Sequence, residues 1–364
     1  MNVNVDANGA EPIPGAGRKA VALISGGLDS MLAARTILEQ GVHVEGINFF
    51  TGFCVEGHTH AIRRRANGSG GNPRNNALWV AEQLGIRLHL IDVVEEYKRV
   101  VLNPKHGYGA NLNPCLDCKT FMVGRAREWM EEHGFDFIIT GEVIGQRPKS
   151  QRRETMPVVA RESGADDRLL RPLCAKRLPA TLPEREGWVD RERLHDFTGR
   201  SRKPQFALAA DFGIEDYAQP AGGCCFLTDR QYSAKLADLW ASRGRRDYEL
   251  DDIMLLKVGR HLRPRPHFKL IVGREEGENN FLSGYRGQFV HLRTVSHPGP
   301  LALVDVDGEP SDEDLHLAAR LTARFSQGRD EERVEVEIGG GGRPARRLSV
   351  APMAPSAIPS DWYV

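Results

Sequence analysis

Residues 19–38 read KAVALISGGLDSMLAARTIL, and this stretch decides the fold class of the 364-residue chain. The apolar run at 20–24 has no helical period, which predicts a buried strand. A Ser-Gly-Gly turn follows it, and 31–38 consists of good helix formers that end near Gly41. Strand, glycine-rich turn and helix in that order predict the opening unit of a parallel α/β sheet.

The alternation of strand and helix continues beyond this unit. The sequence predicts further elements as strands at 44–50, 87–91 and 135–140 and as helices at 76–84 and about 118–133. Strands that alternate with helices pair in parallel, with the helices covering both faces of the sheet. We therefore predict a doubly wound, Rossmann-like parallel sheet.

A second, smaller α+β domain is predicted at 245–352. Its short strands are expected at 253–258, 268–272, 289–293, 301–306, 334–338 and 347–350. A helix with a cap at Ser311 and acids in its first turn is expected to run to about Phe325. Residues 1–18 are expected to form a disordered leader, and 353–364 a tail.

The composition excludes some classes of function. The chain has 49 Lys and Arg against 49 Asp and Glu, so indiscriminate nucleic-acid binding is excluded, whereas a local basic face is not. Residues 1–17 lack the apolar region of a secretory signal, and no apolar run of about 18 residues predicts a membrane span. The six cysteines are too clustered for a disulfide framework, which favours the reducing cytoplasm and metal or redox chemistry.

The sharpest motif is the turn itself, Ser25-Gly26-Gly27-Leu28-Asp29-Ser30. It lies where free backbone N–H groups and the helix dipole favour an anion. The glycines let the backbone approach a phosphate, and both serine hydroxyls can donate to phosphate oxygens. Asp29 would hold a cation or orient a nucleophile. These features predict a nucleotide site; the alternative is an ordinary strand-to-helix turn with a serine cap.

Three cysteines form a second candidate site. Cys115 and Cys118 lie in NPCLDCK, where Pro114 suits a helix start and helix N-termini stabilise thiolates. Cys224 adds a third thiol, and the adjacent Cys225 leaves open which of the two is functional. Three thiolates could hold a [4Fe–4S] cluster with one open iron, or they could carry and resolve a persulfide. A redox-neutral pair with one buried cysteine is the remaining interpretation.

Gly141 and Glu142 directly follow the strand predicted at 135–140. In open α/β sheets ligands bind outside the carboxyl ends of the strands. We therefore expect both residues to face the same crevice as the glycine-rich turn. The alternative is a polar turn without a functional role.

The turn resembles the PP-loop of the ATP-pyrophosphatase superfamily, whose members cleave ATP between the α and β phosphates. Together with NPCLDCK, TGEVIGQRP, LRPL, GRSRK and AGGC, it resembles the tRNA sulfurtransferases of the 4-thiouridine synthase and 2-thiouridylase group over about 19–232. The resemblance implies a PP-loop thiolase domain that uses ATP and Mg²⁺ to adenylate a uridine carbonyl of tRNA. Sulfur from a sulfide or persulfide donor then displaces AMP.

The resemblance also implies roles for individual residues of this chain. ATP binding would fall to Ser25, Gly26, Gly27, Leu28, Asp29, Ser30, Gly141 and Glu142. Cys115, Cys118 and Cys224 match the three cluster ligands of some members. Catalysis would fall to Cys224, Cys115 and Asp29.

Local basic stripes indicate where RNA would bind. Residues 253–274 hold six Lys and Arg without an acid, 143–177 hold nine against four acids, and 63–65 are all arginine. A solvated face without a partner is the alternative for each stripe. KVGRH at 257–261, KLIVGR at 269–274 and ENN at 278–280 resemble the RNA-binding module of NFACT proteins, which implies that the C-terminal domain grips tRNA.

Two other functions stay open at this point. A PP-loop ligase that forms amides on a small molecule would need neither the cysteines nor the basic stripes. A non-catalytic RNA-binding protein with a structural ATP would keep its role when Asp29 is replaced.

Overall fold

The computed structural model describes residues 15–55, 75–218 and 224–364. They form two compact units: the first comprises the described residues of 1–51 and 74–224, and the second those of 52–73 and 225–364. The division between Cys224 and Cys225 precedes the predicted boundary region at 232–245. Residues 1–14 of the predicted leader and the basic residues at 63–65 lie outside the described part of the chain.

The first unit is built on a five-stranded sheet with the order β3-β2-β1-β4-β5. Its strands are β1 Lys19–Leu23, β2 His43–Phe50, β3 Leu88–Asp92, β4 Phe137–Ile139 and β5 Leu169–Leu170. All adjacent strands are parallel. The predicted doubly wound α/β sheet is confirmed.

Helices cover this sheet. They are α1 Leu28–Leu38, α2 Asn76–Leu84, α3 Val94–Leu102, α4 Cys115–Glu132, α5 Met156–Glu162, α6 Leu182–Arg185 and α7 Lys203–Asp211. Helix α1 is buried along most of its length, and its Met31 and Leu32 share one apolar core with Ala20 and Ala22 of β1. This burial holds the glycine-rich turn at a fixed place on the sheet.

The strand order places that turn at the topological switch point. Strand β1 pairs with β2 on one side and with β4 on the other, so the chain connections run in opposite directions from β1. Ser25 follows the end of β1, and Thr140 follows the end of β4. Crevices of this kind, outside the carboxyl ends of two central strands, bind ligands in open α/β sheets.

The second unit contains a six-stranded antiparallel sheet with the order β11-β10-β8-β9-β7-β6. Its strands are β6 Arg260–Arg265, β7 Phe268–Val272, β8 Val290–Thr294, β9 Leu301–Val306, β10 Val334–Gly340 and β11 Arg343–Val350. Its helices are α8 Arg230–Arg243, α9 Leu250–Leu255, α10 Glu276–Ser283 and α11 Asp312–Arg324. The predicted second α+β fold is confirmed.

Two details of the second unit differ from the sequence prediction. The apolar run predicted as a strand at 253–258 is helical at 253–255 and forms a turn and bend at 256–258, because Glu249 and Asp252 form a capping box that starts α9. The predicted tail packs against the unit: Tyr363 bridges to Leu262, and Val364 donates its N–H to the carbonyl of His261 at 3.1 Å. Among the described residues, no helix is long and apolar enough to cross a membrane.

Candidate functional site

The glycine-rich turn is held by its own serines. Gly26 has a φ of 78°, a left-handed conformation that favours glycine. The N–H of Ser25 donates to Oγ of Ser30 at 3.3 Å, and that hydroxyl donates to the carbonyl of Gly27 at 2.8 Å. These bonds close the turn on itself. Gly27 is the N-cap of α1 and has no side chain to cap it, so the N–H groups of the first helical turn can serve a ligand.

Asp29 is the charged group of the turn, and the fold brings it a partner from far away in sequence. Nε2 of Gln146 donates to Oδ2 of Asp29 at 2.6 Å, and Nη2 of Arg202 lies 3.7 Å from the same oxygen. The other oxygen, Oδ1, is buried and has no hydrogen-bond partner among the described residues. A buried carboxylate oxygen without a donor is costly, and this geometry suits a cation or a substrate proton.

Gly141 lies directly against the turn. A Cβ atom at Gly141 would come within 2.4 Å of the carbonyl carbon of Asp29 and 2.5 Å of the Ser30 nitrogen. Only glycine allows this approach of the segment after β4 to the start of α1. The structure thus brings Gly141 and the turn together, as expected from the strand ends.

Glu142 is buried and paired within the first unit. It is 1% exposed, and its carboxylate accepts from Nε of Arg171 at 3.1 Å and from the hydroxyl of Thr140 at 3.0 Å. Burial raises the pKa of Glu142, but the positive charges of Lys119 and Arg171 and the hydrogen bonds outweigh this and lower it. Glu142 therefore carries a buried charge that anchors the segment after β4.

The three predicted thiols lie in the first unit, and two of them affect the third. Burial of its thiol raises the pKa of Cys118 to about 12; Cys224 and Cys115 add to this increase, whereas a hydrogen bond with Tyr97 opposes it. Sγ of Cys115, the first residue of α4, donates to Oγ of Ser150 at 3.3 Å, and Cys224 is exposed. Of the adjacent Cys224 and Cys225, Cys224 is the one that adds to the raised pKa of Cys118 in the C-x-x-C pair.

The described residues do not form a site for a single metal ion. Within 15–55, 75–218 and 224–364, no group of three or more His, Cys, Asp or Glu side chains could hold a metal ion. In a [4Fe–4S] cluster each thiolate would bind a different iron, so Cys115, Cys118 and Cys224 as cluster ligands stay a prediction. The two glycines before Cys224 lie outside the described residues.

Two residues of the site were missed in the sequence. Gln146 and Arg202 both point their side chains at Asp29, and Gln146 in turn accepts from Nε2 of Gln205 at 3.0 Å. Both lie in motifs that carry the resemblance, TGEVIGQRP and GRSRK. Their place in these two motifs was the only signal in the sequence, because a single amide or guanidinium side chain does not by itself indicate a site.

The basic stripe predicted at 253–274 does not form a free phosphate-binding face. Lys257 and Lys269 are 7% and 1% exposed. The guanidinium groups of Arg265 and Arg274 pair with Asp314 and Glu278. Asp314 comes from α11 and Glu278 from α10, so both acids lie beyond the end of the stretch of sequence that has no acid. Most of its charge is therefore neutralised within the second unit.

A pocket of about 520 Å³ in the second unit keeps a basic lining. Its charged residues are Arg260, Arg274, Arg324, Arg329, Glu275 and Glu276. The guanidinium of Arg260 lies 5.1 Å from the ring centroid of Phe325, and the half-exposed Tyr363 offers a second aromatic ring. Arginines beside aromatic rings are suited to a nucleotide, whose phosphate is anionic and whose base stacks.

The two units match two different family models. Residues 18–164 match the tRNA methyl transferase HUP domain, and residues 259–363 match the NFACT protein RNA binding domain. Both predicted resemblances are confirmed. The first match contains the glycine-rich turn, the C-x-x-C pair and Gly141, and the second contains the arginine-lined pocket.

Curated relatives extend the match over most of the chain. It is 24% identical over 295 residues to the tRNA-specific 2-thiouridylase MnmA of Pelobacter propionicus, covering 79% of this chain and 71% of the relative. It is 25% identical over 298 residues to the enzyme of the same name from Xanthobacter autotrophicus, covering 80% and 67%. A solved 4-thiouridine synthetase–RNA complex with bound ATP is 19% identical, with a TM-score of 0.32, over 54% of this chain and 52% of that one.

Proposed function

We propose that this chain catalyses ATP-dependent thiolation of a tRNA uridine. The observation that carries the proposal is that one unit holds both the SGGLDS turn, at the switch point of its sheet, and the thiols of Cys115, Cys118 and Cys224. The named relatives, tRNA-specific 2-thiouridylases, support the same reaction. A tRNA substrate implies the cytoplasm.

Activation of the uridine is assigned to the turn. The N–H groups at the start of α1 and the Ser25 and Ser30 hydroxyls bind the triphosphate. Oδ1 of Asp29, buried without a partner among the described residues, fits a Mg²⁺ ligand. Mg²⁺ would neutralise phosphate charge. The uridine carbonyl oxygen attacks the α-phosphorus, pyrophosphate leaves, and the oxygen becomes part of a good leaving group, AMP.

Sulfur transfer is assigned to thiols without a cluster. A persulfide donor passes its outer sulfur to Cys224, the exposed thiol, and leaves as a thiol. The terminal sulfur of the Cys224 persulfide attacks the activated carbon and displaces AMP. A second thiolate then attacks Sγ of Cys224, which frees the thiouridine and leaves a disulfide. Because burial keeps Cys118 protonated near neutral pH, Cys115 is the better second thiol.

The second unit is assigned to tRNA binding through its arginine-lined pocket. Among the residues that the structure describes, the acid that pairs with Arg324 and Arg329 is Asp330, at 3.9 Å and 3.8 Å, and surface pairs of this kind are weak. Replacing Arg329 by Ala should weaken tRNA binding and lower its salt dependence by about one counterion. Arg333, which bonds to Ser349 outside the pocket, is the matched control.

Pyrophosphate release and nucleoside mass spectrometry test the proposal. The chain should release pyrophosphate only with tRNA present and should form a thiouridine when a persulfide donor is added. Asp29→Asn should lower the rate by at least about 100-fold. Asp136→Asn is the control, because Asp136 bonds Lys19 at the opposite end of β1. Release of pyrophosphate with a small acid and amine, without tRNA, would favour an amide-forming ligase instead.

The source of sulfur has its own test. Anaerobic purification followed by iron analysis should find no iron, and Cys224→Ala should abolish persulfide on the protein. Stoichiometric iron that is lost in Cys115→Ala would overturn the persulfide route and restore a cluster.

A further inference from the structure

The second unit contains a pair of cysteines that the thiolation chemistry does not use. Cys54 and Cys225 face each other across an isolated antiparallel bridge. Both belong to the second unit, although 170 residues of sequence lie between them. Both residues are partly exposed to solvent.

The hydrogen bonds around this bridge define its type. The N–H of Phe226 donates to the carbonyl of Phe53 at 2.9 Å, so the bond joins the residues that flank the cysteine pair. Cys54 and Cys225 therefore occupy a non-hydrogen-bonded position, where opposite Cα atoms lie about 4.5 Å apart. This separation falls in the range of about 4.4–6.8 Å that disulfides span.

A hydrogen-bond donor and a cation lie near the pair. The N–H of Leu227 donates to Sγ of Cys225 at 3.4 Å. The side chain of Lys257 is buried, with its ammonium 5.1 Å from the ring centroid of Phe226. Burial lowers the pKa of Lys257 to about 8, and the attraction of Cys54 and Cys225 opposes that decrease. A cation and a backbone donor beside a thiol raise its reactivity toward disulfides.

We propose that Cys54 and Cys225 form a reversible dithiol–disulfide couple that exchanges with small-molecule disulfides. The thiolate of Cys225 attacks a disulfide RSSR and releases one RS⁻, giving a mixed disulfide. The thiolate of Cys54 attacks Sγ of Cys225 and releases the second RS⁻. Two electrons pass from the cysteine pair to RSSR, and one intramolecular S–S bond forms. The couple is separate from Cys115, Cys118 and Cys224 and does not depend on the proposed thiolase function.

Redox titration of the full chain tests the couple directly. The protein is equilibrated in graded ratios of oxidised and reduced dithiothreitol, quenched in acid, alkylated, digested and analysed by mass spectrometry. A peptide containing Cys54 should be linked to the peptide containing Cys225, with the loss of two hydrogens. The link should vanish in Cys54→Ser and Cys225→Ser and persist in Cys224→Ser. Persistence in Cys225→Ser, or no link at any ratio, would overturn the proposal.

Lys257 provides a second measurement that does not depend on peptide assignment. Lys257→Met removes the charge that stabilises the reduced pair, so the disulfide should become about three- to tenfold harder to reduce. Lys257→Arg should keep the wild-type equilibrium, and circular dichroism checks that both variants fold. An unchanged equilibrium in a folded Lys257→Met variant would contradict the assigned electrostatics.

Discussion

Gly27 is a position in the turn at which a side chain has room. Among the described residues, a Cβ atom there would contact Oγ of Ser25 alone, at 3.6 Å, and the φ of −88° suits any residue. Gly27→Ala should therefore unfold at the wild-type temperature but bind ATP about tenfold or more weakly. Calorimetric titration with a non-hydrolysable ATP analogue checks this, and unchanged affinity would remove Gly27 from the phosphate site.

Gly141, unlike Gly27, has no room for a side chain, because a Cβ atom added there would collide with the backbone. The carbonyl carbon of Asp29 lies 2.4 Å from the position of that atom. Gly141→Ala should lower the free energy of unfolding by about 1–3 kcal/mol and disturb the turn as well. Gly124→Ala in α4 is the control, since its Cβ would have an ordinary contact of 3.7 Å with the carbonyl oxygen of Ser163. Equal stability of both variants in urea unfolding would refute the close approach.

Glu142 links stability to pH. Its folded pKa is lowered, so its charge stabilises the fold above the ordinary carboxyl pKa of about 4.3 and loses this effect as the pH falls through the folded value. Glu142→Gln leaves the buried Arg171 without its carboxylate partner. It should lower the free energy of unfolding by about 3–5 kcal/mol at pH 7. The difference from wild type should shrink in acid. Glu131→Gln, at a half-exposed pair with Arg127, should cost under about 1 kcal/mol in the same urea series.

Single residues show where sequence reasoning reaches its limit. The turn, Gly141 and the C-x-x-C pair could be predicted because each motif is contiguous. The partner of Asp29 could not, because Gln146 lies 117 positions away and reaches it only through the pairing of β1 with β4. The pairing of Glu142 with Arg171 could not be predicted for the same reason, because Arg171 follows β5.

Among the elements, α11 offers a direct test of a predicted cap. The hydroxyl of Ser311 accepts from the N–H of Asp314 at 3.1 Å, and the carboxylate of Asp314 accepts in return from the N–H of Ser311. Ser311→Ala should destabilise the second unit by about 1 kcal/mol. Thermal unfolding measures the change. Ser283→Ala, which removes an exposed hydroxyl bonded within its own helix, should have no comparable effect.

Elements were predicted well where burial and composition agree. Strands β7 and β9 begin and end at the predicted residues, because their apolar runs are buried. Strand β6 was missed because its arginines suggested a solvated stripe. Their acid partners, Asp238 for Arg263 and Asp314 for Arg265, come from α8 and α11. Such pairing depends on tertiary contacts that no local pattern encodes.

At the scale of the whole molecule, the two units should respond to different ligands. An ATP analogue should slow amide exchange at 24–31 and 140–146, which form the turn and its neighbour in the first unit. Added tRNA should also slow exchange at 273–279 and 324–329, which line the arginine pocket. Hydrogen–deuterium exchange of the full chain maps both. If tRNA slows exchange in other segments but not in those that line the pocket, the RNA-binding surface lies outside the pocket.

The second unit also has a consequence for how the chain can be divided. Phe53, which is fully buried, makes edge-on contacts with Tyr232 and Tyr248 at ring-centroid distances of 6.2 Å and 5.3 Å. These partners come from the C-terminal part of the chain, whereas Phe53 comes just after β2. A single cut after Cys224 would therefore release a fragment with a hole in its core. Grafting this module onto another protein requires two crossover points, so recombination at one site would not transfer it intact.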